Sequence, residues 1–194
     1  TYSNFEIIVI NDASRDNTSD VLSRLRKKDS RIGVVTNQTN IGFVKSLNKG
    51  IKYASGTYIA RLDDDDTWCD KRKLEKQIAF LENDPSYVLV GGGVIRIDEE
   101  GREVSRQLLP ESNRDIREVM LKADPFVHTS VVFKKEDWEK VGEYDDSFDF
   151  SQDWDLWMKL GKLGRYYNFQ EYSVKYLLGT HNRINYTMVY HKML

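Results

Sequence analysis

At 194 residues the chain suits one domain or two closely joined halves, and its 40% hydrophobic share is enough for a core of that size. A formal net charge of −2 excludes a global field that would attract nucleic acid or anionic lipid, and a single cysteine, Cys69, excludes an intrachain disulfide and suits a reducing compartment. No apolar run approaches the ~20 residues needed to cross a bilayer and no signal peptide is visible, so a cytoplasmic location is expected, with any membrane contact peripheral and at the inner face.

In chain order, FEIIVIN (5–11) is a continuous apolar run rich in β-branched residues and reads as a buried parallel strand. DASRDNT (12–18) is a turn full of helix-capping residues, and the helix that follows (19–28) places Val21, Leu22 and Leu25 on one face. Residues 31–37 predict a second strand, 42–54 a helix, and TYIARL (57–62) a third strand. An acidic turn (63–66) leads to a helix over about 70–81 with Asp70 as its N-cap. This alternation predicts an α/β fold with a parallel sheet flanked by helices. In such sheets ligands bind outside the carboxyl ends of the strands, so the turns at 12–18 and 63–66, about 50 residues apart, are expected to converge on one crevice.

The second half reads differently. YVLVGGGVIRID (87–98) is a strand broken by glycines, and 101–109 pairs back on it. The three glycines lack the frame of a phosphate loop and read as a bulge or a close backbone approach. Residues 112–122 predict a helix, 128–135 a strand, 136–142 a short helix and 151–164 a helix with Trp154, Trp157 and Met158 on its buried face; 165–180 alternates weakly as strands. A soft boundary falls near residue 99 within one domain. The 11 Tyr and four Trp could stack on sugar faces, but core packing accounts for most of them better.

Asp63, Asp64, Asp65 and Asp66 carry the strongest chemical signal. Four adjacent carboxylates repel one another unless a cation relieves them, and their oxygens suit a hard divalent ion such as Mg²⁺ or Mn²⁺ that would bridge to phosphate. A solvated acidic turn ahead of a helix N-terminus is the competing reading. A calcium loop of the EF-hand type is excluded, because Cys69 stands where glycine is required and Trp68 takes a ligand position.

The segment TYIARLDDDDTW followed by KRKLEKQIAFLENDP resembles the family 2 glycosyltransferases of the GT-A fold, where a strand enters an acidic D-x-D motif, then an aromatic, then a K-L-E-x-Q helix. FEIIVINDASRDNT, NIGFVKSLNKGI, HTSVVFKKEDWEKVGEYDDSF and QDWDLWMKLGKLG resemble further segments of that family in the same order along nearly the whole chain. The resemblance implies a GT-A-type, Rossmann-like, mostly parallel sheet with a mixed acceptor-side half, 1–98 binding a nucleotide sugar and 99–194 facing the acceptor. It implies an inverting, metal-dependent sugar transfer from a nucleotide diphosphate sugar, a UDP-sugar, to a hydroxyl of a glycan or lipid-linked acceptor.

By the same resemblance Asp12 contacts the nucleotide base, whose N–H its carboxylate can accept, although an Asx-turn or N-cap with Ser14 and Asp16 would also explain it. Ser14, Asp63 and Asp64 fall on the nucleotide-sugar side, and Asp65 is the metal ligand. Asp153 matches the catalytic base; first-turn residues favoured by the helix dipole are the bland alternative for it and Asp155. Gln152 stands where the family has Glu, which removes a charged helper. His181, in GTHNRIN, matches a histidine that ligates the metal or touches the diphosphate. His128 reads as structural or acceptor-lining. Family members carry a further strand and helix ahead of the position of Thr1, between the strands at 5–11 and 57–62, so an N-terminally truncated sequence is expected. Two alternatives remain: a metal-dependent nucleotidyltransferase, for which no glycine- and lysine/arginine-rich triphosphate loop is visible, and a catalytically inactive nucleotide- or carbohydrate-binding module.

Overall fold

The computed structural model describes residues 1–178. β1 (Ile7–Asn11) and β2 (Ile32–Thr36) form a parallel pair in register Ile7 to Ile32, joined by α1 (Thr18–Lys28). α2 (Phe43–Tyr53) then leads to β3 (Tyr58–Ala60), the acidic turn, a two-residue β4 (Thr67–Trp68) and α3 (Lys73–Asn83). β5 (Tyr87–Ile97) is the spine of a six-stranded sheet, with β6 (Glu103–Gln107) folding back on it. After α4 (Asn113–Met120) and a 3₁₀ turn at His128–Ser130 come β7 (Val132–Lys134), α5 (Lys135–Lys140), α6 (Gln152–Leu160) and β8 (Arg165–Leu177). The large sheet runs β3-β7-β5-β8-β4, so strands from both sides of residue 99 alternate within it.

The α/β class is as expected, but the share of parallel pairing is smaller than the alternation implies. Among the described residues β1–β2 and β5–β8 are parallel, while β3–β7, β4–β8, β5–β6 and β5–β7 are antiparallel. β7 inserts between β3 and β5, running against both. Strand direction depends on pairings far apart in sequence, which apolar periodicity does not encode.

Several local expectations are corrected. α3 begins at Lys73 rather than at Asp70, whose carboxylate instead accepts the Arg72 N–H at 2.8 Å and pairs with Lys76 at 2.9 Å. The strand expected from residue 128 starts at Val132 because His128–Ser130 coil into a 3₁₀ turn. In α1 Leu22 is buried but Leu25 is 43% exposed. In α6 Trp154, Leu156, Trp157 and Leu160 face the core, whereas Met158 is 39% exposed. The helix therefore turns its buried face toward Trp138, Phe133 and Tyr166, which form the main core with Leu89, Ile116 and Phe126.

A second cluster, Ile78, Leu81, Val90 and Val132, lies on the α3 side of the sheet, covered by the rings of Phe80, Tyr167 and Phe169. The expected glycine irregularity is present: the β5–β8 register shifts at Gly92/Gly93 and again at Gly93/Val94. Gly91 permits the closest approach, since a Cβ there would collide with the Asn168 side chain and stand 2.8 Å from the Phe126 ring. Both neighbours are buried, so neither can retreat freely. Gly91→Ala is expected to cost about 1–3 kcal/mol through overpacking. Urea denaturation with an unchanged m-value would measure it, and an unaltered midpoint would show that the sheet relaxes around the methyl group.

Candidate active site

β1 delivers Asn11 and Asp12 to the sheet's carboxyl edge. Asn11 Oδ1 accepts the Ser14 N–H at 2.9 Å, so Asn11 makes the side-chain turn here, with Ala13 in the left-handed region at φ 60°. Asp12 reaches across to the β2–α2 loop. Its Oδ1 accepts from Asn37 Nδ2 (2.8 Å) and the Ile41 N–H (2.9 Å), and its Oδ2 accepts from the Gly42 N–H (3.0 Å). Desolvation pushes the carboxyl up, but these donors outweigh it and hold the pKa below the ordinary value. Gly42, at φ 90°, lets the loop turn into α2, and Phe43 follows, 51% exposed.

The Phe43 ring connects this edge to the acidic turn, with the Arg61 guanidinium 5.5 Å and the His128 ring 6.5 Å from its centroid. Arg61, at the end of β3, donates to Asp63 Oδ1 and to the Leu62 carbonyl. The Asp63 N–H donates to Thr129 Oγ1 at 3.3 Å. Burial raises the Asp63 pKa, against the pull of Arg61. Asp64 and Asp65 are exposed at the tip. Asp66 turns inward: its Oδ1 accepts the Leu177 N–H at 3.0 Å, and burial pushes its pKa up to about 6. Trp68 Nε1 donates to the Thr129 carbonyl at 2.9 Å, so Thr129 grips the turn from both ends.

α6 supplies the other wall. Ser151, left-handed at φ 61°, precedes Gln152, and Gln152 is buried. A neutral amide costs less to bury than the carboxylate it replaces. Asp153 Oδ1 accepts the Trp154 N–H at 2.9 Å, and Asp153 Oδ2 lies 3.9 Å from His128 Nδ1. Burial raises the Asp153 pKa, and the nearby charge of Asp63 adds to that while Arg61 opposes it. Asp124, whose Oδ1 accepts the Phe126 N–H at 2.9 Å, is pushed well above its ordinary value by burial and by Asp153. Asp155 is paired with Lys159 at 2.7 Å.

Asp63 and Asp153 thus share one electrostatic neighbourhood. Asp12 joins it through the loop it anchors. Ser14 is exposed, with its N–H held by Asn11. His181 lies outside the described residues. Arg61, Tyr144 and Asp124 also belong to the neighbourhood, and sequence reasoning passed over all three. The only forewarning was the position of Arg61 just ahead of the acidic run, since side-chain burial leaves no mark on a single sequence. A cavity of about 590 Å³ opens beside the cluster, between α2 and the 142–146 loop, lined by Lys45, Lys49, Lys52, Tyr144 and Lys159 among others.

Among the described residues no three His, Cys, Asp or Glu side chains converge as a ready-made metal cage. The donor chemistry still suits a hard cation: Asp64 and Asp65 are exposed at the tip of the turn, and Asp63, bound by Arg61, lies at its base. Mg²⁺ in particular is commonly held by one or two carboxylates with substrate phosphates completing the shell.

A parallel β1–β2 pair, an acidic turn at the end of β3 and a carboxylate heading α6 beside a mixed sheet are the features of a GT-A-type α/β fold. Solved structures share it. Staphylococcus aureus TarS 1–349 in complex with UDP-GlcNAc superposes with a TM-score of 0.70 at 19% identity, covering 90% of this chain and 50% of that one. The Pyrobaculum calidifontis mannosyltransferase PcManGT, in complex with GDP-Man and Mn²⁺, gives 0.66 at 19% identity, covering 94% and 50%. The chain belongs to glycosyl transferase family 2, whose model matches residues 1–142. Among curated relatives, the amylovoran biosynthesis glycosyltransferase AmsE of Erwinia amylovora is 37% identical over 131 residues, covering 68% of this chain and 48% of its own length. The putative glycosyltransferase EpsE of Bacillus subtilis is 36% identical over 177 residues, covering 88% and 62%. The chain therefore spans about half or somewhat more of the length of these relatives. Membership of this family favours sugar transfer over the nucleotidyltransferase alternative. Among the described residues no helix is long and apolar enough to cross a membrane.

Proposed function

We propose that the chain is the catalytic domain of an inverting, metal-dependent glycosyltransferase acting in glycan or polysaccharide synthesis at the cytoplasmic side of the membrane. Its donor is a UDP-sugar and its acceptor a hydroxyl of a glycan or lipid-linked glycan. The observation that carries this reading is the run of contacts from Asp63, on the acidic turn, through Arg61, Phe43 and His128 to Asp153, at the head of α6. In this reading Asp63 serves the donor side and Asp153 the acceptor side, as a direct displacement requires. Names of relatives agree with the biosynthetic setting, and the solved neighbours were crystallised with UDP-GlcNAc or with GDP-Man and Mn²⁺.

Asp12 faces the nucleotide base in this reading, and Ser14 and Asp64 border the donor. Asp65 would hold a divalent cation, with His181 as a further candidate ligand and Asp63 beside the donor; when bound, the cation offsets charge on the departing diphosphate. Asp153 takes the proton from the acceptor hydroxyl as that oxygen bonds to the anomeric carbon. The bond from that carbon to the diphosphate oxygen breaks, and the diphosphate leaves with the electron pair. A carboxylate with a raised pKa is a better base near neutral pH than an ordinary one.

Calorimetric titration of UDP into the full-length protein, with Mn²⁺ and with EDTA, tests the donor side. Affinity should fall at least about tenfold on chelation, and Asp65→Ala should abolish the Mn²⁺ dependence while leaving the fold intact. Equal affinity with and without the metal, or an Asp65→Ala protein that responds like the parent, would remove the cation from the reading.

A further inference from the structure

Asp153 is served on its two oxygens by different groups. The Trp154 N–H at the start of α6 holds Oδ1 at 2.9 Å, and the His128 ring faces Oδ2, with Nδ1 at 3.9 Å. The opposite ring nitrogen, Nε2, is 2.8 Å from the Tyr144 hydroxyl. The three side chains come from separate elements: His128 opens the 3₁₀ turn before β7, Tyr144 lies in the loop after α5, and Asp153 heads α6. His128 is wedged between aromatic rings, with Tyr144 and Trp157 each 5.7 Å away by centroid. It cannot swing to another partner without displacing one of them.

We propose that His128 is a positioning residue for Asp153, locked by Tyr144 as the tautomer that carries its proton on Nδ1, so that it presents a hydrogen-bond donor to Asp153 Oδ2. The inference deepens the reading of Asp153 as the acceptor-side base and rests on it.

The protons can be placed by elimination. Desolvation and then the Arg61 charge drive the imidazole pKa well below its ordinary value, so the ring is neutral and carries one proton. Burial drives the Tyr144 hydroxyl upward, so it keeps its hydrogen and can donate. If Nε2 held the imidazole proton, an Nδ1 lone pair would confront the carboxylate. If Tyr144 donates to Nε2, the proton sits on Nδ1 and the contact becomes attractive. The other charges facing Asp153 do not supply this donor: Asp63 and Asp124 are acids that repel it, and Arg61 is engaged with Asp63. At 3.9 Å the His128–Asp153 contact is longer than a hydrogen bond, and catalytic contacts of this kind commonly tighten once substrate is bound. His128 thereby fixes which way Oδ2 points, and the acceptor hydroxyl meets an oriented carboxylate instead of a rotating one.

Two arms test this on the full-length protein. The first needs no activity: long-range ¹H–¹⁵N NMR of the His128 ring in the free protein at pH 7.5. The expected result is the Nδ1–H tautomer, with Tyr144→Phe shifting the population toward Nε2–H and Asp153→Asn moving the His128 resonances. An Nε2–H tautomer in the parent protein would overturn the proposal. The second arm measures UDP release from UDP-GlcNAc with Mn²⁺ and water as acceptor. The side-chain amide of His128→Asn overlays the Nδ1–H and should keep most of kcat. That of His128→Gln overlays Nε2 and should lose about tenfold or more in kcat with KM for the donor unchanged. Equal kcat for the two amides would also overturn it. If the parent releases no nucleotide from any donor tried, the functional reading fails, and the tautomer still decides the fate of His128.

Discussion

Asp153→Asn is expected to leave folding and UDP binding intact while lowering sugar transfer by roughly 10²–10⁴-fold, the usual worth of a general base. Asparagine matches aspartate in size, and its Oδ1 can still accept the Trp154 N–H that holds the native side chain. What it loses is basicity. It also loses a negative charge from a place where burial, Asp63 and Asp124 already disfavour one, so the variant should be no less stable than the parent and somewhat more resistant to urea. A protein made sturdier and inactive by one isosteric change is what a functional carboxylate predicts; a purely structural first-turn aspartate would give an active protein. The decisive measurement is turnover with the true acceptor, together with the anomeric configuration of the product by NMR. Near-normal turnover would exclude Asp153 as base, and retention of configuration would exclude single displacement.

The largest stability effect is expected at Trp157. Its side chain is fully buried one turn beyond Asp153, with ring centroids 5.7 Å from His128, 5.9 Å from Phe126 and 6.2 Å from Phe133. Truncating a fully buried tryptophan typically costs 3–5 kcal/mol, and the surrounding rings are too large to collapse into the space left behind. Met158→Ala, on the exposed side of the same helix, should cost less than about 1 kcal/mol. The two variants together test the face that α6 turns to the core. Comparable losses in equilibrium urea unfolding would mean that the helix is rotated from its described position. Because Trp157 also walls in His128, its loss should depress transfer even where the protein remains folded.

The comparison between those two residues shows where sequence reading reaches its limit. A helix over 151–164 is legible because apolar residues recur at helical spacing, but Leu156, Trp157, Met158 and Leu160 offer more than one plausible stripe, and only the neighbours choose among them. β1, β2, β5 and the acidic turn are legible for a related reason: a long apolar run or a block of carboxylates is a local feature. The insertion of β7 between β3 and β5 is not, since those pairings join residues far apart along the chain. The site divides in the same way. Asp12, Asp63, Asp65 and Asp153 stand out through motif resemblance. Arg61, Tyr144 and Asp124 matter through whom they face, and nothing in their local sequence announces burial. Met158 shares helical spacing with Trp154 and Trp157 but falls at the exposed margin of the stripe, where single apolar residues are common on protein surfaces.

The Asp66–Leu177 hydrogen bond has a consequence for how the molecule comes into being. It ties the acidic turn to the far end of β8, across 111 residues of sequence, and β4, which begins just after Asp66, pairs among the described residues with β8 alone. A ribosome delivers β1, α2, β3 and then Thr129 early, but the Asp66 carboxylate gains its backbone partner only when the last described strand has emerged and docked. The topology thus sets an order of assembly in which the β1–β2 pair can form first and the β4–β8 pairing closes last. Long-range strand pairing of this kind is intrinsically slow to form. A nascent chain arrested before residue 177 would carry all four aspartates and still lack the backbone amide that positions Asp66.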